Sequence, residues 1–186
     1  MIRLAVFLGN PGPEYTRTRH NAAWMLAESL SFAESIVWQR KFKGMFGSAG
    51  SGLLLLKPET FMNLSGESVG ACAQFYRIEP NELLVVHDDV ELPFGTALAR
   101  AGGGLGGHNG LRDIARVLGS RDFLRFRVGI SRPTRGDVAS YVLSRFTPEE
   151  ERELPVFLQR AAGELEAVLG VRGGEGKNNG SARSRS

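Results

Sequence analysis

The sequence predicts a single-domain α/β protein, a three-layer sandwich in which a twisted, mostly parallel or mixed sheet is flanked by helices. Two observations carry this prediction. Apolar segments of strand length alternate along the chain with segments of helical periodicity, an order that places helices on both faces of one sheet. The 186 residues, of which 42% are hydrophobic, suit one domain over residues 1–172 and no second domain of comparable size.

The first half of the chain is predicted to begin with a buried strand and a sharp turn. Residues 2–8 are largely aliphatic, which favours a buried strand, and Asn10, Pro11, Gly12 and Pro13 stack strong helix and strand breakers directly after it. The full set of predicted elements is the strand 2–8, the helix 21–30 with Thr16 or Thr18 as a possible cap, two strands within 45–57, the loop 58–65 and the helix 66–77.

The second half continues the alternation and ends in a long helix. Thr147 followed by Pro148 and two glutamates is a helix-start signature, and Pro155 lies near enough to that start either to be tolerated or to bend the helix. Residues 173–186 are rich in glycine, asparagine, serine and arginine, so we expect a disordered tail. The preceding predicted elements are strand 82–86, turn 92–95, strand 96–101, glycine-rich loop 102–107, helix 111–118, strand 123–130 and helix 137–145.

Polar groups follow several of the predicted strands. Asn10 follows the first strand, Asp88 follows the strand 82–86, and the glycine-rich loop follows the strand 96–101. In α/β sheets, ligands gather outside the carboxyl ends of the strands. We therefore expect these groups to converge on one end of the sheet.

Charge and cysteine content restrict the function classes. The net charge is +3, yet residues 100–135 contain eight arginines against two aspartates, which is either a solvated face or the footprint of a polyanion such as RNA. The single cysteine, Cys72, excludes an internal disulfide and a cysteine-rich zinc site, and its apolar surroundings favour a buried thiol. No apolar run is long enough for a membrane helix and no secretory signal is evident, so we expect a cytoplasmic protein.

His20 is the best candidate for a general base among the three histidines. It lies at or just before a predicted helix N-terminus, whose positive end would keep the ring neutral and able to accept a proton from water. Asp88 is a plausible partner for its other ring nitrogen, and the adjacent Asp89 should point to the opposite side of the strand. The plain alternative is that His20 is a surface cap. The histidine and carboxylate spacings give no metal-binding motif.

Two further features, a glycine-rich loop and three loop amides, are weak evidence of function by themselves. Residues 102–107 imitate a dinucleotide-binding glycine motif, but no acidic residue ends the next strand, which carries Arg125 and Arg127 instead. The glycines therefore indicate close approach of the backbone to a ligand, or an unusual turn. Three loop amides, Asn10, Asn63 and Asn109, suit a substrate rich in peptide groups, although each is also a common turn former.

Together these segments resemble the bacterial peptidyl-tRNA hydrolases over roughly residues 2–170. The motifs that carry the resemblance are residues 8–12, Tyr15, residues 18–21, 57–58, 60–66, 87–88 with 92–93, 102–104, 106–111 and 127–130. Leu98 departs from the family, which often has lysine there, so one phosphate contact is expected to be missing. Ala23 and Phe7 also depart, but neither removes a proposed catalytic group.

The resemblance implies a monomeric enzyme that needs no cofactor or metal and releases tRNA from peptidyl-tRNA by ester hydrolysis. It implies that His20 is the base, that Asp88 keeps His20 ready and that Asn10 distinguishes an N-blocked peptide from a free amino acid. The remaining implied contacts are Tyr15, Phe61, Asn63 and Asn109 with the bound peptidyl-tRNA end, and Arg100 and Arg127 with RNA phosphates. The alternatives are an RNA-binding protein of the same fold without activity, and a nucleotide-binding protein built on the glycine loop.

Overall fold

The structure, a computed structural model, describes residues 1–50 and 52–171, and these form one layered unit around a seven-stranded sheet. The sheet order is β2-β3-β4-β1-β5-β7-β6. The four central strands, β4, β1, β5 and β7, are parallel, whereas β2, β3 and β6 run antiparallel to their neighbours. The strands are β1 Leu4–Phe7, β2 Gln39–Lys41, β3 Gly44–Ser48, β4 Leu54–Pro58, β5 Leu83–Asp89, β6 Ala97–Ala101 and β7 Leu124–Gly129.

Helices cover both faces of this sheet, which confirms the predicted three-layer α/β sandwich. Side chains alternate along β1: Ala5 and Phe7 pack with α1 and α5, whereas Leu4 and Val6 pack with α2 and α3, as expected for a strand buried on both sides. The helices are α1 Ala22–Glu28, α2 Ser65–Tyr76, α3 Asn109–Leu118, α4 Val138–Val142 and α5 Pro148–Leu169. None of the helices in the described part of the chain is both long and apolar enough to cross a membrane.

The edge strand β2 was not predicted from the sequence. It has only three residues, all polar, so it carries no apolar alternation. The hairpin to β3 turns at Phe42 and Lys43, which have φ values of 55° and 53°. Both positions of such a turn normally favour glycine or asparagine, so the usual hairpin signal is missing from the sequence.

The start of α1 differs from the prediction. A 3-10 turn, Arg19–Asn21, precedes the helix, and His20 lies inside this turn. Neither predicted threonine caps the helix: the Thr18 hydroxyl instead donates to the Tyr15 carbonyl at 2.8 Å. Thr18 therefore stabilises the preceding loop, and the helix N-terminus is formed by the 3-10 turn.

The other boundaries shift by a few residues, with one functional consequence. β5 extends through His87 to Asp89 instead of ending at Val86, because β7 continues to pair with it as far as Gly129. The two carboxylates Asp88 and Asp89 are therefore strand residues with opposite side-chain directions, as the strand argument predicted.

The C-terminal helix begins as predicted. The Thr147 side chain accepts from the Glu150 backbone N–H, and Glu150 in turn accepts from the Thr147 backbone, a complete capping box. The helix continues through Pro155 to Leu169, so the proline is tolerated. Cys72 is buried, as expected. The predicted tail over residues 173–186 lies outside the described residues.

Candidate active site

The carboxyl ends of the parallel strands carry the candidate residues. Asn10 follows β1, Asp88 lies near the end of β5, and Asn109 begins α3. A cavity of about 250 Å³ opens at this end. Its lining residues are His20, His87, Asp88, Asp89, Val90, Leu105, Gly106, Gly107, His108, Asn109, Val138, Ala139 and Val142.

A carboxylate shared by two imidazoles forms the centre of the site. Nδ1 of His20 lies 2.9 and 2.8 Å from the two oxygens of Asp88. Nε2 of His108 lies 2.8 Å from Asp88 Oδ1. Asp88 is 2% exposed and His20 is 8% exposed, so little water competes for these hydrogen bonds. The structure thus places residues 20 and 88 in direct contact.

The charge states follow from this geometry. Burial alone would raise the pKa of Asp88, but the charge and hydrogen bonds of His20 and His108 hold it well below its usual range. For His20, burial lowers the pKa, but the charge of Asp88 and the hydrogen bond to Asp88 together raise it more, so the pKa of His20 is raised above that of an ordinary histidine. The expectation that a helix terminus would disfavour imidazolium at His20 is therefore wrong, since the adjacent carboxylate dominates.

His108 was not identified by the sequence reasoning. Its Nδ1 accepts from the Leu111 backbone N–H at 3.4 Å and so caps α3. With Nδ1 used as an acceptor, the neutral ring carries its proton on Nε2 and donates it to Asp88. One sequence signal could have indicated His108: it is a polar residue between a glycine-rich loop and an amphipathic helix, which is the position of a helix N-cap.

Asn10 is held by a separate set of hydrogen bonds next to the histidine turn. Its Oδ1 accepts from the Met62 backbone N–H at 2.8 Å. Asn21, which is 0% exposed and was not singled out from the sequence, accepts from the Asn10 backbone N–H and donates to the Asn10 carbonyl. Asn10 does not line the cavity beside His20, but Asn21 follows His20 directly and links the two.

His87 also lines the cavity, next to Asp88 in β5. It is 1% exposed, and its Nδ1 lies 2.8 Å from the Asp88 backbone carbonyl, so this nitrogen is the donor. Burial, followed by the charge of the neighbouring His108, lowers the pKa of His87 to about 3. His87 is therefore a neutral ring that supports the end of β5.

The predicted phosphate-binding arginines lie on the paired antiparallel strands β6 and β7. Arg127 forms an ion pair with Asp89, Nε to Oδ2 at 2.7 Å, so its charge is partly satisfied within the protein. Arg100 is exposed and pairs across the strands with Arg125. Arg125 is 3% exposed and donates to the Gly102 carbonyl at 2.5 Å. Leu98, opposite Arg127, adds no charge to this face.

The four predicted substrate contacts are distributed unevenly. Asn109 lines the cavity. Tyr15 is half-buried in the 3-10 turn Pro13–Tyr15. Phe61, with 57% of its surface exposed, and the exposed Asn63 lie in the segment after β4. These last three border the same end of the sheet without lining the cavity.

Comparison with known proteins decides the family. A family model described as Peptidyl-tRNA hydrolase matches residues 4–183. The chain belongs to the peptidyl-tRNA hydrolase family. The resemblance predicted from the sequence motifs is thereby confirmed, since the match extends across all of them.

Individual members of the peptidyl-tRNA hydrolase family are similar along nearly their whole length. The peptidyl-tRNA hydrolase of Geotalea uraniireducens is 49% identical over 172 residues, which cover 90% of either chain. That of Geobacter sulfurreducens is 46% identical over 171 residues, which cover 90% of this chain and 89% of the relative. The crystal structure of peptidyl-tRNA hydrolase from Acinetobacter baumannii superposes with a TM-score of 0.82 at 37% identity, covering 91% of this chain and 89% of that one.

Proposed function

We propose that this chain hydrolyses the ester that joins an N-blocked peptide to tRNA and so releases free tRNA for reuse in translation. Family membership supports the substrate class. The observation that carries the mechanism is the contact between His20 Nδ1 and the buried Asp88 carboxylate.

His20 acts in this proposal as the general base through its Nε2 atom. An ionised carboxylate can only accept hydrogen bonds, so the His20 nitrogen facing Asp88 carries the proton. The neutral ring then has its lone pair on Nε2, and no other described residue hydrogen-bonds to that atom. Nε2 takes a proton from water as the water oxygen attacks the ester carbonyl, and Asp88 stabilises the imidazolium that forms. The bond between the acyl carbon and the ribose oxygen then breaks, the imidazolium returns its proton to the leaving ribose oxygen, and the peptide acid and free tRNA are released with His20 neutral again.

Asn10 supplies hydrogen-bond donors to the substrate. Because Oδ1 is taken by the Met62 backbone N–H, the orientation of the carboxamide is set, and Nδ2 is the group left for a ligand. Nδ2 donates to no other described residue and is not fully buried. A donor in this place fits a carbonyl oxygen of an N-blocked peptide, which a free amino acid lacks.

The RNA partner is the acceptor end of peptidyl-tRNA. Arg100 offers an exposed positive charge to RNA phosphates, whereas the charge of Arg127 is shared with Asp89. Contacts between arginines and phosphates are expected to weaken as the salt concentration rises. Tyr15 and Phe61 present rings, and Asn63 and Asn109 amides, around the same end of the sheet. We expect the protein to act as a monomer in the cytoplasm.

A metal-assisted mechanism has one feature in its favour. The candidate ligand atoms of His20, Asp88 and His108 lie within 4.8 Å of one another. However, the α3 cap makes His108 Nε2 a donor, and Asp88 already accepts from both rings. A cation would have to displace both N–H groups, so the donor set suits proton transfer better, and no cofactor enters the proposal.

The test is release of free tRNA from an N-acetyl-aminoacyl-tRNA by the purified protein, with and without a chelator. We expect turnover that the chelator leaves unchanged, and a loss of about 10²–10⁴-fold for His20→Asn. A folded His20→Asn variant with wild-type turnover contradicts the mechanism. RNA binding without any turnover in the wild type favours the non-catalytic alternative.

A further inference from the structure

Arg19, which precedes the proposed base, is an unusually buried cation. It is 3% exposed, and a charged side chain at that depth needs partners to offset the loss of water. Its guanidinium donates to Ser144 Oγ at 2.7 Å, to the Arg145 carbonyl, and to Glu150 Oε2 at 2.7 Å. All three partners lie more than 120 residues away in sequence.

Arg19 also anchors the short helix α4. The Arg19 guanidinium lies 4.2 Å from the ring centroid of Tyr141, within α4. The Arg19 backbone N–H donates to the Ser144 carbonyl at 3.0 Å, just after the helix. A helix of five residues is too short to be stable without such anchors.

Helix α4 forms one apolar wall of the cavity. Val138, Ala139 and Val142 line it, together with His20 and Asp88. The turn that bears His20 and the segment that contains α4 are therefore linked by the Arg19 side chain, in addition to the backbone hydrogen bond from Arg19 to Ser144. A change in these contacts is expected to alter the distance between His20 and the cavity-lining side chains of α4.

We propose that Arg19 is a positioning residue that fixes this wall relative to His20 and thereby selects for an apolar acyl side chain next to the ester. This inference rests on the proposed function, because the ester must lie at His20 for the adjacent side chain to reach Val138 and Val142. Small displacements between reacting groups have large effects on rate, and apolar walls discriminate between side chains that differ by a few methylene groups.

The experiment uses one tRNA charged with either N-acetyl-leucine or N-acetyl-glycine, and compares kcat/KM for the two esters. The ratio does not depend on the fraction of folded enzyme, so loss of fold alone leaves it unchanged. We expect the wild type to favour the leucyl ester at least about fivefold, and Arg19→Met to reduce that preference by half or more. Glu150→Gln, which removes only the ionic partner and keeps an oxygen for the capping box, should reduce it less.

Arg17→Met is the matched control. Arg17 also pairs with the first turn of α5, through Glu151, but 47% of its side chain is exposed. Within the described part of the chain, its guanidinium donates to Glu151 and to no residue of α4. We expect Arg17→Met to keep the wild-type ratio of kcat/KM for the leucyl ester to kcat/KM for the glycyl ester.

Three results overturn the inference. They are the same ratio in Arg19→Met as in the wild type, a drop in Arg17→Met as large as that in Arg19→Met, and a wild-type ratio near one. If Arg19→Met does not fold, an unchanged ratio in both Arg19→Lys and Glu150→Gln overturns it. Absence of turnover on both esters in the wild type instead refutes the proposed function itself.

Discussion

Replacement of Asp88 by asparagine tests the proposed mechanism most directly. The change is nearly isosteric, but it replaces one of two acceptor oxygens by an NH2 donor. Asp88 now accepts from both His20 and His108 at 2.8–2.9 Å. The α3 cap commits His108 Nε2 to donating to Oδ1, so the amide oxygen should take the Oδ1 position and the NH2 group the Oδ2 position, which lies 2.8 Å from His20 Nδ1.

The amide NH2 of Asp88→Asn is therefore expected to face His20 Nδ1. That nitrogen would become an acceptor, and the neutral ring would carry its proton on Nε2, where the base needs a lone pair. We expect kcat/KM to fall about 10²–10⁴-fold, which corresponds to roughly 3–5 kcal/mol of transition-state stabilisation.

The pH profile gives a second readout of the same variant. In the wild type the charge and hydrogen bond of Asp88 raise the pKa of His20, against the opposing effect of burial. Without the carboxylate only the lowering effect remains, so the acid limb of kcat/KM against pH should move to lower pH.

Asp89→Asn is the control for this shift, because Asp89 pairs with Arg127 and does not contact His20; its acid limb should keep the wild-type midpoint. An Asp88→Asn variant with wild-type kcat/KM and an unshifted limb would refute the reasoning.

Three further predictions follow from single side chains. Asn10→Asp keeps the acceptor for the Met62 N–H but loses the donor, so the ratio of kcat/KM for N-acetyl-aminoacyl-tRNA to that for aminoacyl-tRNA should fall about tenfold or more; an unchanged ratio contradicts the role. Burial lowers the pKa of His87 to about 3 in the folded protein. Between pH 6.5 and 3 the unfolded chain therefore binds more protons than the folded protein does, and the free energy of unfolding falls as the pH falls. In His87→Phe, the slope of unfolding free energy against pH, from urea titrations, should therefore decrease by up to about 1.4 kcal/mol per pH unit, and an unchanged slope shows that His87 does not titrate this way. Burial raises the pKa of the Cys72 thiol to about 12, so a thiol reagent at pH 8 should label the protein only after denaturation, whereas rapid labelling of the native protein would show that the thiol is accessible.

Much of the fold was predictable because local patterns and the global structure agree. The aliphatic run around β1, the amphipathic α3 and the capping box at Thr147 each specify their element within a short stretch of chain. The prediction failed at β2 because three polar residues and a turn at Phe42 and Lys43 carry no local signal. It also failed at Thr18, whose hydroxyl had a competing acceptor in the preceding loop.

The sequence by itself determined the layered α/β architecture, the family and the identity of His20, Asp88 and Asn10 as candidates, since these depend on residue types and their order. Only the tertiary structure decided which atoms meet. It brought His108 onto Asp88, directed Asp89 to Arg127 and joined Arg19 to α4, and it reversed the expected direction of the His20 pKa shift. The physical reason is that hydrogen bonds and Coulomb interactions act over a few ångströms, and residues 68 apart, such as His20 and Asp88, come that close only when the parallel strands and their helices have packed.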